Sequence, residues 1–255
     1  AGGQLFQQGH LGPLVSEKLG ISSVPTIRTE GACASGGLAF HQAVMSVKAG
    51  LYDTVLVGGV ERMTHQTTPV VTKALASAMD IEREASTGLT FPGSFALIAN
   101  RYFYEYGNVL EEMAMVSVNS HRNALLNPHA QLQKQIDIDT VLNAPRIADP
   151  LGLYDCSLIT DGAAFVVISS RPTGADRKIM VSGIGHGGDA LTLQGKSSIT
   201  EFAATKRASA RAYEQAGMSP QDIDLAEVHD CFSITQIINI EDLGFVEKGK
   251  GASAC

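Results

Sequence analysis

Apolar positions near the start of the chain follow first a strand spacing and then a helix spacing. Residues 24–30 alternate between apolar and polar, which predicts a strand. Over residues 38–48 the apolar positions recur every three to four residues and Gly50 follows, which predicts a helix and its end. The short apolar run at 54–57 is typical of a buried strand. Together they predict a strand, turn, helix and strand joined by a right-handed parallel crossover.

The rest of the chain alternates between helical and strand-like segments. Residues 62–160 are dominated by helical stretches separated by Pro- and Asn-rich loops, which predicts a helical excursion inserted between strands. Further helices are predicted at 14–20, 93–106, 110–126, 201–216 and 232–243. Buried strands are predicted at 163–169, 178–184 and 223–228.

Composition and charge exclude several classes of protein. The chain has 255 residues, 44% hydrophobic and 18% charged, which is ordinary for one or two globular domains. A net charge of -7 without a basic block argues against binding to nucleic acid. No apolar run is long enough to span a membrane, and no signal peptide is visible. Residues 1–8 form a Gly/Gln loop that begins abruptly, so we expect the natural N-terminus further upstream.

Four widely spaced cysteines give the first indication of chemistry. Without a CxxC pair they favour neither a zinc site nor a disulfide-stapled secreted domain, so a reducing compartment and no metal are expected. Cys33 lies between a predicted strand and a predicted helix, among small residues. Unpaired N–H groups and the helix dipole at such a position stabilise a thiolate, as a nucleophile requires. The alternative is a small buried residue, since free cysteines are often buried.

A second candidate segment is His229-Asp230-Cys231-Phe232, which follows a predicted strand and precedes a predicted helix. His229 could donate a hydrogen bond to a developing oxyanion, and Cys231 could carry a proton. Core packing of Cys231 and helix capping by Asp230 are the alternatives.

Two other patterns favour simpler interpretations. Residues 183–188 match G-x-G-x-x-G, but no clear helix and no acidic partner follow, so we expect a flexible loop rather than a dinucleotide site. Lys196, Lys206 and Arg207 could contact the phosphates of a phosphorylated cofactor, but a solvated helix face is the favoured interpretation.

Four ordered motifs resemble those of the thiolase superfamily. They are Glu30 to Gly37 around Cys33, Val57 to Met63 (VGGVERM), Asp155 to Ala164 (DCSLITDGAA), and His229 to Phe232 (HDCF). The last resembles the sterol-carrier-protein-X branch and its bacterial and archaeal acetyl-CoA acetyltransferase-like relatives. The strands before the nucleophile and the final Gly-His-Pro loop of thiolases are missing, so the resemblance implies truncation at both ends.

The resemblance implies an α/β fold of five layers, αβαβα, with two similar halves. A partial N-terminal half would comprise residues 1–61 and resume at 161–172. A helical loop domain would span 62–160, and a partial C-terminal half 173–255.

The resemblance also implies roles and a reaction. Cys33 would be acylated, His229 would help form an oxyanion hole, and Cys231 would be the acid/base. The activity would be that of an acyl-CoA C-acyltransferase of lipid metabolism, which cleaves 3-ketoacyl-CoA by thiolysis or catalyses the reverse Claisen condensation. Coenzyme A and acyl-CoA would be substrates, with no covalently bound cofactor.

Other activities and assemblies stay open. A related condensing enzyme of the ketoacyl or hydroxymethylglutaryl-CoA synthase type is one alternative, and a non-catalytic acyl-CoA-binding scaffold subunit is another. The resemblance implies a homodimer or tetramer and a small zinc-ribbon/OB-fold partner protein. It implies a cytoplasmic location, or a peroxisomal one in a eukaryote.

Overall fold

A computed structural model describes residue 5, residues 8–171, residue 174 and residues 177–255. The chain forms two compact units, Ala1–Ala78 with Ile159–Val181 and Met79–Leu158 with Ser182–Cys255. The predicted domain boundary at 172–173, and all but two residues of the predicted loop 1–8, lie outside the described residues.

The described part of the chain contains helices and strands that are numbered here in chain order. They are α1 (Leu11–Lys18), α2 (Ser35–Lys48), β1 (Thr54–Glu61), α3 (Thr68–Ala76), α4 (Phe91–Tyr106), α5 (Leu110–Ala124), α6 (Ile138–Leu142), β2 (Arg146–Ala148), β3 (Leu151–Gly152), β4 (Gly162–Ser169), α7 (Ala203–Ala216) and α8 (Ser233–Asp242). Every helix predicted from the periodicity is confirmed to within a few residues. The excursion between β1 and β4 is mainly helical, as expected, with a short β2–β3 hairpin near its end.

The first unit contains an antiparallel pair of strands. β1 and β4 run side by side with Thr54 opposite Ser169 and Glu61 opposite Gly162, and α2 lies against β1. Gly58 allows this pairing, because a Cβ at that position would lie 1.9 Å from the ring of Phe165. The strands are therefore where the sequence predicted them. The prediction that both are buried is wrong, since most of their apolar side chains are exposed, among them Leu56, Val60, Phe165, Val166 and Val167.

Three predicted strands, at 24–30, 178–184 and 223–228, are wrong. These segments join no sheet among the described residues, and the crossover predicted from the first of them is absent because β1 pairs with β4 instead. A strand needs a hydrogen-bonded neighbour as well as an apolar pattern. Several of their apolar side chains are exposed, by 71% at Ile27, 91% at Ile179 and 80% at Leu225, although Ile184 is buried.

The second unit has a core built from three helices. α4, α5 and α8 contribute most of its large, almost fully buried side chains, namely Tyr102, Met113, Val116, Ile234, Ile237 and Ile238, and β3 contributes Leu151. The apolar stripe predicted on α8 therefore faces the core. None of the helices in the described part of the chain combines the length and the apolar composition that a membrane span requires.

The G-x-G-x-x-G segment packs tightly against α7. A Cβ at Gly183, Gly185 or Gly187 would lie about 2 Å from a backbone carbonyl oxygen of α7, at 2.0, 1.8 and 2.2 Å respectively. The side chains of Arg207 and Arg211 on α7 donate hydrogen bonds to backbone carbonyls of the same segment. The expected flexible loop is thus an extended segment whose glycines are explained by helix packing.

Candidate active site

Cys33 lies in an exposed, strained turn at the start of α2. It occupies the 3-10 turn Ala32–Ala34, directly before Ser35, and its side chain is exposed. Ala32 has a φ of 48°, in the left-handed region that costs a residue with a Cβ roughly 1–2 kcal/mol. Strain of this kind at a nucleophile is typical of sharp turns that project a reactive side chain.

Hydrogen bonds around Ser35 stabilise the turn. Its hydroxyl donates to the carbonyl of Ala32 at 2.7 Å and accepts from the N–H of Gly31 at 3.0 Å. The N–H of Ala32 donates to the carboxylate of Glu30 at 2.8 Å. The residues on both sides of Cys33 are therefore fixed by the motif's own polar groups.

The glycines of the Cys33 motif differ in what they contact. A Cβ on Gly31 would lie 2.3 Å from the end of the Leu38 side chain, so a larger residue here would require Leu38 to move. At Gly36 and Gly37, a Cβ would meet nothing within 4 Å. The face of α2 next to Cys33 is thus open to an incoming group.

Asp161 joins two of the thiolase-like motifs within the first unit. Its carboxylate accepts hydrogen bonds from the N–H of Met63 at 2.7 Å and from the N–H and hydroxyl of Thr64 at 2.9 and 2.7 Å. The bond from the N–H of Thr64, followed by those from its hydroxyl and from Met63, lowers the pKa of Asp161.

His229 and Cys231 lie in the second unit, in the segment before α8. His229 is exposed and Cys231 is half-buried. The carbonyl of Cys231 accepts a hydrogen bond from the N–H of Ser157 at 2.9 Å, and Phe232 forms a β-bridge with Cys156. The ring of Phe232 also stacks on Phe95 with centroids 4.5 Å apart, which anchors the segment in the core.

Two polar side chains of α8 contact this segment from the helix side. The hydroxyl of Thr235 lies 3.9 Å from the sulfur of Cys231. The amide of Asn239 donates to the carbonyl of His229 at 3.2 Å. Both are at least 90% buried. Neither residue was predicted from the sequence, although polar residues four and eight positions after Cys231 in an apolar helix are a signal for such contacts.

The other two cysteines of the second unit have weakly acidic thiols. Burial, and then the nearby Asp155 and Cys231, raise the pKa of Cys156 to about 11. Burial, and then Glu112 and Glu241, raise the pKa of Cys255 to about 11. Neither thiol has the character of a nucleophile at neutral pH.

The basic residues considered for phosphate binding contact groups of the chain itself. Lys196 forms an ion pair with Asp189 at 2.9 Å, and Lys206 one with Glu201 at 2.8 Å. Arg207 donates to a backbone carbonyl, as described above. In the described part of the chain no three His, Cys, Asp or Glu side chains are grouped as metal ligands.

The structure thus brings together His229 and Cys231 on one segment, while Cys33 lies in the other unit. Two family models match the regions that contain these residues. The family described as "Thiolase, N-terminal domain" matches residues 10–172, which include Cys33, and "Thiolase C-terminal domain-like" matches residues 185–255, which include His229 and Cys231.

The chain belongs to the thiolase family. Among the relatives of this thiolase-family chain is the acetyl-CoA acetyltransferase of Methanothermobacter thermautotrophicus. The two are 43% identical over an alignment of 255 positions that covers 99% of this chain and 66% of the relative. The benzoylsuccinyl-CoA thiolase subunit BbsB of Thauera aromatica is 34% identical, over 94% of this chain and 63% of the relative. The chain therefore spans about two thirds of the length of these relatives.

A solved structure has a similar fold. The Ltp2-ChsH2(DUF35) aldolase superposes with a TM-score of 0.78 at 25% identity, over 94% of this chain and 64% of that one. The thiolase-like α/β fold predicted from the four motifs is confirmed.

Proposed function

We propose that this thiolase-family protein is an acyl-CoA C-acyltransferase that uses Cys33 as its nucleophile. The observation that carries the proposal is the exposed Cys33 after the left-handed Ala32, at the start of α2. The N–H of Ser35, the first residue of α2, donates to the carbonyl of Ala32, and the dipole of α2 favours negative charge at the turn in front of it. The 43% identity to an acetyl-CoA acetyltransferase supports acyl-CoA as the substrate class.

In the direction of synthesis the reaction proceeds in two stages. The thiolate of Cys33 attacks the thioester carbonyl of acyl-CoA, the C–S bond to coenzyme A breaks, and acyl-Cys33 forms. The thiolate of Cys231 then takes the α-proton of a second acyl-CoA, whose carbanion attacks the acyl carbonyl and expels the Cys33 thiolate. His229 donates a hydrogen bond to the oxyanion that develops. Thiolysis is the reverse sequence and needs no bound cofactor, with coenzyme A as the attacking thiol.

The relatives also support a proposal about assembly. The relative BbsB is named as a subunit, and the solved aldolase is named as a pair of components, Ltp2 and ChsH2(DUF35). We therefore propose a small zinc-ribbon/OB-fold partner for this chain, in addition to a homodimer or tetramer. A reducing compartment such as the cytoplasm suits the chemistry, because Cys33 must be a free thiol.

The test is covalent labelling of Cys33 by substrate. The protein, in the complete form that its source makes, is incubated with acetyl-CoA or acetoacetyl-CoA and examined by intact-mass and peptide mass spectrometry. An acyl adduct on Cys33 is expected, absent from Cys33→Ala and retained in the matched control Cys255→Ala. A folded protein that binds coenzyme A without an adduct, with and without a partner protein, would contradict the proposal and favour a scaffold subunit.

A further inference from the structure

The hydroxyl of Thr235 faces the thiol of Cys231 in a nearly water-free position. Thr235 is 5% exposed, and its hydroxyl lies 3.9 Å from the Cys231 sulfur, which is within reach of a hydrogen bond to sulfur. The backbone N–H of Thr235 is already used, since it donates to the carbonyl of Phe232 at 2.8 Å. The carbonyl of Cys231, one helical turn earlier, accepts from Ser157. The sulfur is the partner that the geometry gives to the Thr235 hydroxyl.

The direction of this hydrogen bond depends on the protonation state of Cys231. When Cys231 is a thiol, either group can donate. When Cys231 is a thiolate, only the hydroxyl can donate, and a hydrogen bond to the charged form favours that form. A buried hydroxyl is also costly to leave without a partner. The contact therefore stabilises the thiolate relative to the thiol.

Other titratable groups lie near Cys231 on both segments that surround it. His229 and Asp230 are on its own segment. Cys156, with Asp155 next to it, is on the segment that pairs with Phe232, and Cys156 interacts electrostatically with Cys231. The raised pKa of Cys156 keeps that thiol neutral at neutral pH. Asp155 is occupied by hydrogen bonds from Ser233 and Gly152. Among these groups Thr235 is a neutral donor aimed at the sulfur.

We infer that Thr235 is a positioning residue that sets the proton affinity of Cys231 for the abstraction of the substrate α-proton. The inference rests on the proposed function, in which Cys231 is the acid/base. It concerns the second stage of the reaction alone, because acylation of Cys33 involves no proton transfer to Cys231. The two stages can therefore be measured separately.

The experiment measures both stages in the complete protein. Acylation of Cys33 by acetyl-CoA is followed by mass spectrometry, and exchange of the acetyl-CoA methyl protons with D2O is followed by NMR between pH 5 and pH 9. The variants are Thr235→Val, which removes the hydroxyl at nearly constant volume, and Thr235→Ser, which keeps it. Thr200→Val is the matched control, because Thr200 is equally buried but bonds to Glu105.

Thr235→Val should leave acylation within about twofold, slow proton exchange about three- to tenfold at neutral pH, and move the acid limb of its pH profile up by about 0.5–1 unit. Thr235→Ser should restore the profile, and Thr200→Val should not move it. If Thr235→Val does not fold, Thr235→Ala compared with Thr235→Ser isolates the hydroxyl.

A profile that is unchanged in the variant lacking the hydroxyl, or equally shifted in Thr235→Ser, would overturn the inference. A wild-type protein that is acylated but does not exchange protons would show that Cys231 is not the acid/base, which would overturn the inference. A wild-type protein that does neither would overturn the proposed function itself.

Discussion

The carboxylate of Asp155 accepts a 2.5 Å hydrogen bond from the hydroxyl of Ser233. Its other oxygen accepts from the N–H of Gly152 at 2.8 Å, and the side chain is 6% exposed. Asp155 begins the DCSLITDGAA motif, and Ser233 follows the HDCF motif directly. One buried bond thus joins two motifs that lie far apart in the sequence, and it fixes the first turn of α8 beside Cys231.

Removal of this bond should destabilise the second unit. Ser233→Ala leaves a buried carboxylate oxygen without its donor, and we expect the free energy of unfolding to fall by about 2 kcal/mol. Urea denaturation followed by circular dichroism measures the change. Ser253→Ala is the matched control, because the Ser253 hydroxyl bonds to a backbone carbonyl at an exposed site. Equal effects of the two substitutions would contradict the assigned role of Asp155.

Replacement of glycine by alanine should reduce stability at one position of the segment along α7 and have little effect at another. In Gly185→Ala the new Cβ would lie 1.8 Å from the carbonyl oxygen of Ala208, so the segment or the helix must move, and we expect a loss of about 3 kcal/mol of stability. Gly188→Ala meets nothing within 4 Å and should change stability by less than about 1 kcal/mol. Thermal unfolding of both variants tests this, and a Gly185→Ala protein as stable as the wild type would show that the packing is looser than described.

The cysteines should react with iodoacetamide in a fixed order. At pH 8 Cys33 should be alkylated first, because it is exposed, whereas Cys156 and Cys255 are partly buried thiols with pKa raised to about 11. Peptide mass spectrometry over time measures the order. Cys33→Ala should remove the fast phase and leave the slow labelling unchanged. Fast labelling of Cys156 in the folded protein would contradict the prediction.

The contribution of Asp161 to stability should depend on pH. Its pKa is lowered in the folded state, so its stabilising effect is present above its unfolded pKa of about 4 and is lost as pH falls through the folded value. Asp161→Asn should therefore lower the melting temperature at pH 7, and the gap to the wild type should shrink towards pH 3. Asp224→Asn, at an exposed carboxyl group, serves as the control. A gap that is constant with pH would contradict the role of the Asp161 charge.

The sequence predicted elements that depend on local pattern and missed those that depend on a neighbour. The helical periodicity and the glycine that follows it predicted the position of α7. The helix ends before Gly217, whose φ is 64°. The run at 178–184 has the same apolar character as β4, but only β4 has a partner strand, and pairing is not visible in a single segment.

The candidate site shows the same division. Cys33, His229 and Cys231 can be proposed from the sequence because their residue types and neighbours are distinctive. The left-handed Ala32 could not be predicted, because alanine carries no preference for that conformation. The contacts of Thr235 and Asn239 with the segment around Cys231 depend on which way α8 turns its polar positions, and the structure shows that direction.

The packing of residues 183–187 on α7 has a consequence for how the chain tolerates insertions. Gly183, Gly185 and Gly187 meet Ala212, Ala208 and Ala204, so two residues of extended chain are matched to four residues of helix running the opposite way. Two extended residues advance about 6.6 Å and four helical residues about 6.0 Å, so the two repeats are nearly commensurate over three contacts. A one-residue insertion between Gly183 and Gly187 would set a residue with a side chain against the helix backbone at the contacts on one side of the insertion. The register of the segment is therefore specified by the absence of side chains, without any ladder of backbone hydrogen bonds.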